Sequence, residues 1–128
     1  NPRLRLKGKA PITGYVDGAW WPHDDDLQME LRELLPVLAA RLGAITRVTY
    51  HLAEWAKAPL RIVIDGRSVR LDGYNAQPAN TLGVLDAYGN TIVLLIVPAR
   101  TKPDRAHSIV MAASTTDDAS TVQALLSG

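Results

Sequence analysis

Leu27, Leu31, Leu34, Leu35, Leu38 and Leu42 recur at steps of four, three, one, three and four, which lays all six along one stripe of a helix. No other feature constrains the fold as tightly, because such a stripe has to be buried against a second layer. The residues ahead of it read as a helix entrance. Pro22 steers Trp21 away from the α region, and Asp24, Asp25 and Asp26 supply a capping carboxylate and negative charge for the first turn. Gly43 is placed to close the helix in a left-handed conformation. Pro36 falls about 180° from Leu27 at roughly 100° per residue, on the outer face, so the spacing predicts a kink there and not a stop. Gln28, Glu30, Arg32 and Glu33 are expected to point largely away from the buried layer.

The other patterns say what that layer is made of. Leu4 and Leu6 alternate with Arg3, Arg5 and Lys7, the period of a short edge strand with a charged outer side. Residues 8–14 read as a loop, and Tyr15 with Val16 as a second strand ended by an Asp17-Gly18 turn. Residues 45–50 are rich in β-branched side chains and read as a strand. A type I′ turn at Asp65-Gly66 sets Ile64 opposite Arg67, Ile62 opposite Val69 and Leu60 opposite Leu71. Residues 72–80 read as a polar loop. A second hairpin closes around residues 86–90 with Gly89 in the left-handed bulge position, pairing Val84 with Ile92 and Leu82 with Leu94. Residues 91–97 are apolar on both faces, which suits the interior of a sheet. Thr101 and Pro103 open a helix carrying Ala106, Ile109, Val110 and Ala113 on one side, and Thr116 can cap an accessory C-terminal helix within residues 115–128. The expectation is one α+β domain over residues 1–128: an antiparallel sheet built from hairpins, covered by the long helix of the N-terminal half and by C-terminal helices.

Cysteine is absent from the 128 residues, which removes disulfides and thiol chemistry and suits a reducing compartment. Fourteen Lys and Arg against 13 Asp and Glu leave a net charge of +1, interspersed along most of the chain, whereas an electrostatic DNA binder needs a concentrated basic face. No apolar run approaches the ~18 residues of a membrane helix, and the first residues lack the apolar core of a secretory leader. A soluble cytoplasmic protein is therefore expected.

The alternating Leu4-Arg5-Leu6-Lys7, the run from Asp17-Gly18-Ala19-Trp20-Trp21-Pro22 into an acidic helix start, Leu52-Ala53-Glu54-Trp55, and Val93-Leu94-Leu95-Ile96-Val97-Pro98 together resemble a family of short actinobacterial proteins classed as a domain of unknown function. The resemblance covers residues 4–113, and Gly-Ala-Trp-Trp-Pro is its most specific block. It implies a small intracellular protein and carries over no activity, cofactor or site residue. Residues 115–128 depart from it.

Candidate binding residues are Trp20, Trp21, His23, Trp55 and Tyr74, with Tyr15 as a further wall. Neighbouring side chains in an extended segment point to opposite sides, which would send one indole of the Trp20-Trp21 pair to the core and the other to a groove or solvent; the favoured reading is that both pack over the helix entrance. His23 stands beside three aspartates, but four consecutive residues cannot converge on one ion and capping already explains the acids, so no metal or cofactor is expected. His51 and His107 lack a partner at ligand spacing. Ser68 lacks the second glycine of a nucleophile elbow, and Gly8-Lys9 lacks the rest of a phosphate loop. Arg61, Arg67 and Arg70, with the basic start and the aromatics, form the kind of mixture that grips single-stranded nucleic acid. The leading functional expectation is a non-enzymatic binding or protein-interaction module using an aromatic cluster, with a protein partner or a second copy as its ligand. An RNA or ribosome-associated binder and an enzyme with a dispersed site are the alternatives.

Overall fold

The leucine stripe forms a helix, α1 (Leu27–Leu42), in the computed structural model, which describes residues 3–6 and 16–113. Among those residues lie seven strands and two α-helices. The strands are β1 (Leu4–Leu6), β2 (Gly18–Trp20), β3 (Ile45–His51), β4 (Arg61–Ile64), β5 (Arg67–Tyr74), β6 (Thr81–Asp86) and β7 (Thr91–Ile96), and the second helix is α2 (Pro103–Ala113). The loop expected at residues 8–14, Tyr15 and the C-terminal helix expected beyond Thr116 fall outside the described residues. No described helix is long and apolar enough to cross a membrane. By contact the chain divides into a central unit, residues 24–92, and a terminal unit, residues 1–23 with 93–128.

In the central unit the strand order is β6-β3-β5-β4. β3 pairs antiparallel with β6 and β4 antiparallel with β5, but β3 and β5 run parallel. This corrects the purely antiparallel expectation. The chain reverses once through residues 52–60 and again at Asp65-Gly66, so after two reversals β5 slots between β3 and β4 in the direction of β3. Alternation of apolar and polar residues reports which face a side chain takes and is silent on the direction of its neighbour.

The entrance and exit of α1 are as expected. Asp26 Oδ1 accepts the Met29 N–H at 3.2 Å, and Gly43, at φ 90°, donates its N–H to the Ala39 carbonyl at 2.7 Å. Leu27, Leu31, Leu34, Leu35 and Leu38 are buried, each contributing about 1.5–3 kcal/mol of transfer free energy. Glu30, expected to point outward, is buried as well, because it lies three residues after Leu27 and four before Leu34 and so borders the same stripe. The helix runs through Pro36, which is exposed; lacking an N–H, Pro36 leaves the Arg32 carbonyl without its ladder partner. α1 packs on β3 and β4. The buried sheet residues of the unit include Val48, Tyr50, Ile62, Val69, Leu71, Leu82 and Val84.

Turn chemistry is equally direct. Asp65 and Gly66 take φ of 50° and 78°, and Ile64 pairs with Arg67 and Ile62 with Val69. Gly89 takes φ 87°, and the Asp86 carboxylate gathers the N–H groups of Tyr88 and Asn90 and the Asn90 side-chain amide, each at 2.9 Å. β5, however, continues to Tyr74, so residues 72–74 are strand where a loop was expected. Asp72 is polar because it belongs to the face turned away from α1.

In the terminal unit β1 pairs antiparallel with β2, and β2 pairs parallel with β7, again against expectation. Gly18 opens β2 and Asp17 is a bend just ahead of it, so the pair precedes a strand where it was expected to end one. Asp17 donates its N–H to the Val93 carbonyl and accepts the Val93 N–H on Oδ2, both at 2.7 Å, so its side chain continues the ladder. Gly18 is needed because β1 comes so close that a Cβ would meet the Arg5 carbonyl oxygen and the Leu6 Cα. α2 places Ala106, Ile109, Val110 and Ala113 in a core with Val16, Ala19, Trp21, Leu95 and Val97.

Candidate binding site

Both neighbouring indoles are buried. Trp20 is 5% exposed at the end of β2, the middle strand of three, and its carbonyl accepts the Val97 N–H at 2.9 Å. Trp21 is 8% exposed; its Nε1 donates to the Ala99 carbonyl at 3.2 Å, and the Arg3 guanidinium lies 4.1 Å from the ring centroid while donating to the carbonyls of Trp21 and Pro22. Neither ring is therefore open to solvent, which sets aside the reading that leaves one of the two exposed. His23 is exposed in the bend after Pro22.

Trp55 and Tyr74 belong to the central unit, where both line one groove of about 460 Å³. Its origin lies in unequal strand lengths. β4 pairs with β5 only as far as Arg70, and the Leu71 N–H takes the Leu60 carbonyl at 2.8 Å. From Asp72 to Tyr74 no strand among the described residues continues along that edge of β5, and residues 55–60 pass beside it instead. That segment is fastened by the Ala56 N–H to the Asp25 carbonyl at 3.0 Å, and it follows a 3-10 turn, Leu52–Glu54, where His51 Nδ1 accepts the Ala53 N–H. Tyr50 and Leu71 are buried beneath; Trp55, 8% exposed, and Lys57 stand on one side, and Arg70, Asp72 and Tyr74, 41% exposed, on the other. Gly73 admits the Leu52 side chain, which occupies the place of a Cβ.

Strand register brings charge to this groove. Arg61 is opposite Arg70 across β4 and β5, and Arg70 is opposite Arg47 across β5 and β3, so three arginines form one cross-strand row. Like charges directly opposite each other are destabilising. One carboxylate offsets them: Asp72 accepts Arg47 Nε at 2.5 Å and Arg70 Nε at 2.9 Å. Burial pushes the Asp72 carboxyl upward, but the hydrogen bonds from Arg47 and Arg70 outweigh it and hold the group below the usual carboxylate range. Arg47 also donates through Nη2 to the Tyr74 hydroxyl at 2.6 Å, and Arg61 to Ser68 Oγ at 3.4 Å. The Asp72 hydrogen bond, foremost among its neighbours, raises the Arg47 guanidinium further, so the charge is permanent.

Sequence reasoning named Arg61 and Arg70 but placed Arg67 with them. Arg67 pairs with Ile64 and alternates onto the opposite face. Arg47 and Asp72 were missed altogether. The signal for them is the register of β3 against β5, which a single sequence does not display.

The described elements define an α+β protein whose sheet is partly parallel and partly antiparallel. The chain is a member of the Family of unknown function (DUF5994), whose model matches residues 3–113, ending with α2. No curated protein and no solved structure matches it.

Proposed function

We propose that this protein is a non-enzymatic binding module that holds an anionic ligand on the face of β3, β5 and β4 turned away from α1, beside the groove of Trp55 and Tyr74. The observation that carries this reading is the cross-strand row Arg61, Arg70, Arg47 with a single carboxylate, Asp72, shared by two of the three. A fold gains nothing in stability from such a row, and guanidinium forks are suited to phosphate and carboxylate oxygens. Arg61 and Arg70 are exposed, so an anion can reach them from solvent. The cysteine-free composition fits a reducing compartment, and a cytoplasmic location is part of this reading.

The test is a thermal-shift titration with inorganic tripolyphosphate at low ionic strength, on the wild type and on Arg61→Ala/Arg70→Ala. Stabilisation that rises with ligand, fades with added salt and is lost in the double variant is the expected result. An unchanged melting temperature for the wild type, or the same shift in both proteins, overturns the reading.

A further inference from the structure

Resting on that reading, we infer that the anion is the backbone of a single-stranded nucleic acid, with its phosphates along Arg61, Arg70 and Arg47 and a base in the adjoining groove. The row and the groove share Arg70, so one ligand has to satisfy both. Neighbouring strands are spaced about 4.8 Å apart, which spreads the three arginine stems over roughly 10 Å, an extended charged track in place of a single-ion pocket. The groove beside the middle of that track, at Arg70, has ring-bearing walls, Trp55 and Tyr74, and a buried floor of Tyr50 and Leu71. Its about 460 Å³ accepts a flat heterocycle. Tyr74 is the exposed ring of the set, and its hydroxyl is tethered to Arg47 of the row at 2.6 Å, so the stacking surface and the phosphate track are fixed relative to each other. Charged tracks with aromatic platforms are how proteins hold single strands irrespective of sequence.

Hydrogen-bonding groups for a base edge are also present. Because the Leu71 N–H points to Leu60, the backbone N–H and carbonyl of Gly73, two residues on, turn to the same side and into the groove. Lys57 and Asp72 stand on its two sides. An acidic peptide would match the arginines equally well in charge. Strand addition, however, needs a run of free edge, and β5 extends only from Asp72 to Tyr74 beyond the end of β4, which offers a peptide backbone one residue's pair of groups. A base needs no more than that.

The experiment is fluorescence anisotropy with a labelled single-stranded RNA 12-mer of mixed sequence, with base-free polyphosphate and poly-glutamate as competitors. RNA binding is expected with a log–log salt slope of about −1.4 to −2.1, for two to three phosphates at roughly −0.7 each, and Arg61→Ala should make the slope shallower by about 0.7. Tyr74→Ala should weaken RNA binding about 5- to 150-fold and leave polyphosphate binding unaltered, whereas Tyr74→Phe retains the ring and most of the affinity. Both positions, Arg61 and Tyr74, are exposed, so these variants keep the fold. Polyphosphate or poly-glutamate competing as well as RNA at equal charge, or Tyr74→Ala binding RNA like the wild type, overturns the nucleic-acid inference while the anion-binding reading stands. If none of the three polymers binds, both fall.

Discussion

Gly18 and Arg5 approach so closely across β1 and β2 that the Arg5 carbonyl oxygen stands where a side chain at position 18 would begin. Backbone cannot step aside as a side chain can. Gly18→Ala is therefore expected to cost about 1–3 kcal/mol or more, read as a lower urea midpoint. Gly73→Ala should cost less, because its neighbours are the Leu52 and Tyr50 side chains, whose ends can turn. Equal midpoints for wild type and Gly18→Ala would show that the two strands are not so close.

Leu31 has no exposed surface, whereas Val37, on the same helix, is 58% exposed. Leu31→Ala should lose about 2–5 kcal/mol and Val37→Ala no more than about 0.5 kcal/mol. Chemical denaturation of the pair reads out which side of α1 is covered, and similar losses would contradict the assigned face.

Trp20, Trp21 and Trp55 are 5%, 8% and 8% exposed. Native tryptophan emission should accordingly be blue-shifted and poorly quenched by acrylamide, with a red shift on unfolding. Efficient quenching of even one indole in the native protein would mean that a tryptophan is open to solvent after all.

Acid should destabilise the fold in a defined window. The folded-state carboxyls of Asp72 and Asp86 both lie below their ordinary value, Asp72 through Arg47 and Arg70 against the push of burial, and Asp86 foremost through the Asn90 side-chain amide. An unfolded aspartate titrates near about 3.9. A lowered folded value therefore contributes stability that is complete above that pH and is lost as pH falls through the folded value. Stability measured against pH should be level from about pH 7 to 5 and fall below about 4, and Asp72→Asn should flatten part of that fall. An acid limb of the same slope in the variant would remove Asp72 from the account.

Asp72 also occupies two of the three guanidinium groups that a ligand would use. Removing its charge is expected to tighten tripolyphosphate binding by about 1 kcal/mol, a factor of about five, since that is the scale of one unit charge at close range in water. Titration calorimetry of Asp72→Asn distinguishes this from a structural role, in which binding weakens because Arg47 and Arg70 lose their anchor.

Much of the local structure was readable from residues alone. The leucine steps gave α1 its length, Asp26 and Gly43 its limits, and Asp65-Gly66 and Gly89 their left-handed turns, because each depends on neighbours within a few positions. Longer-range relations were not. Asp17-Gly18 has the composition of a turn that ends a strand, yet the close passage of β1 and the hydrogen bonds to Val93 make it the lead-in to β2. Asp72, Gly73 and Tyr74 look like a loop until β3 is set beside them. Of the candidate residues, Trp55 and Tyr74 do share a groove, whereas Trp20 and Trp21 are buried. The arginine row is invisible without register, since its members are 14, 9 and 23 positions apart (47 to 61, 61 to 70 and 47 to 70).

Pro36 has a consequence for how α1 comes apart. With one rung missing between residues 32 and 36, opening of the turns before the proline and of those after it need not be concerted. Deuterium uptake along this helix should thus be stepped, with amides of residues 37–42 exchanging ahead of those at 31–35, and replacing Pro36 by alanine should merge the two steps into one.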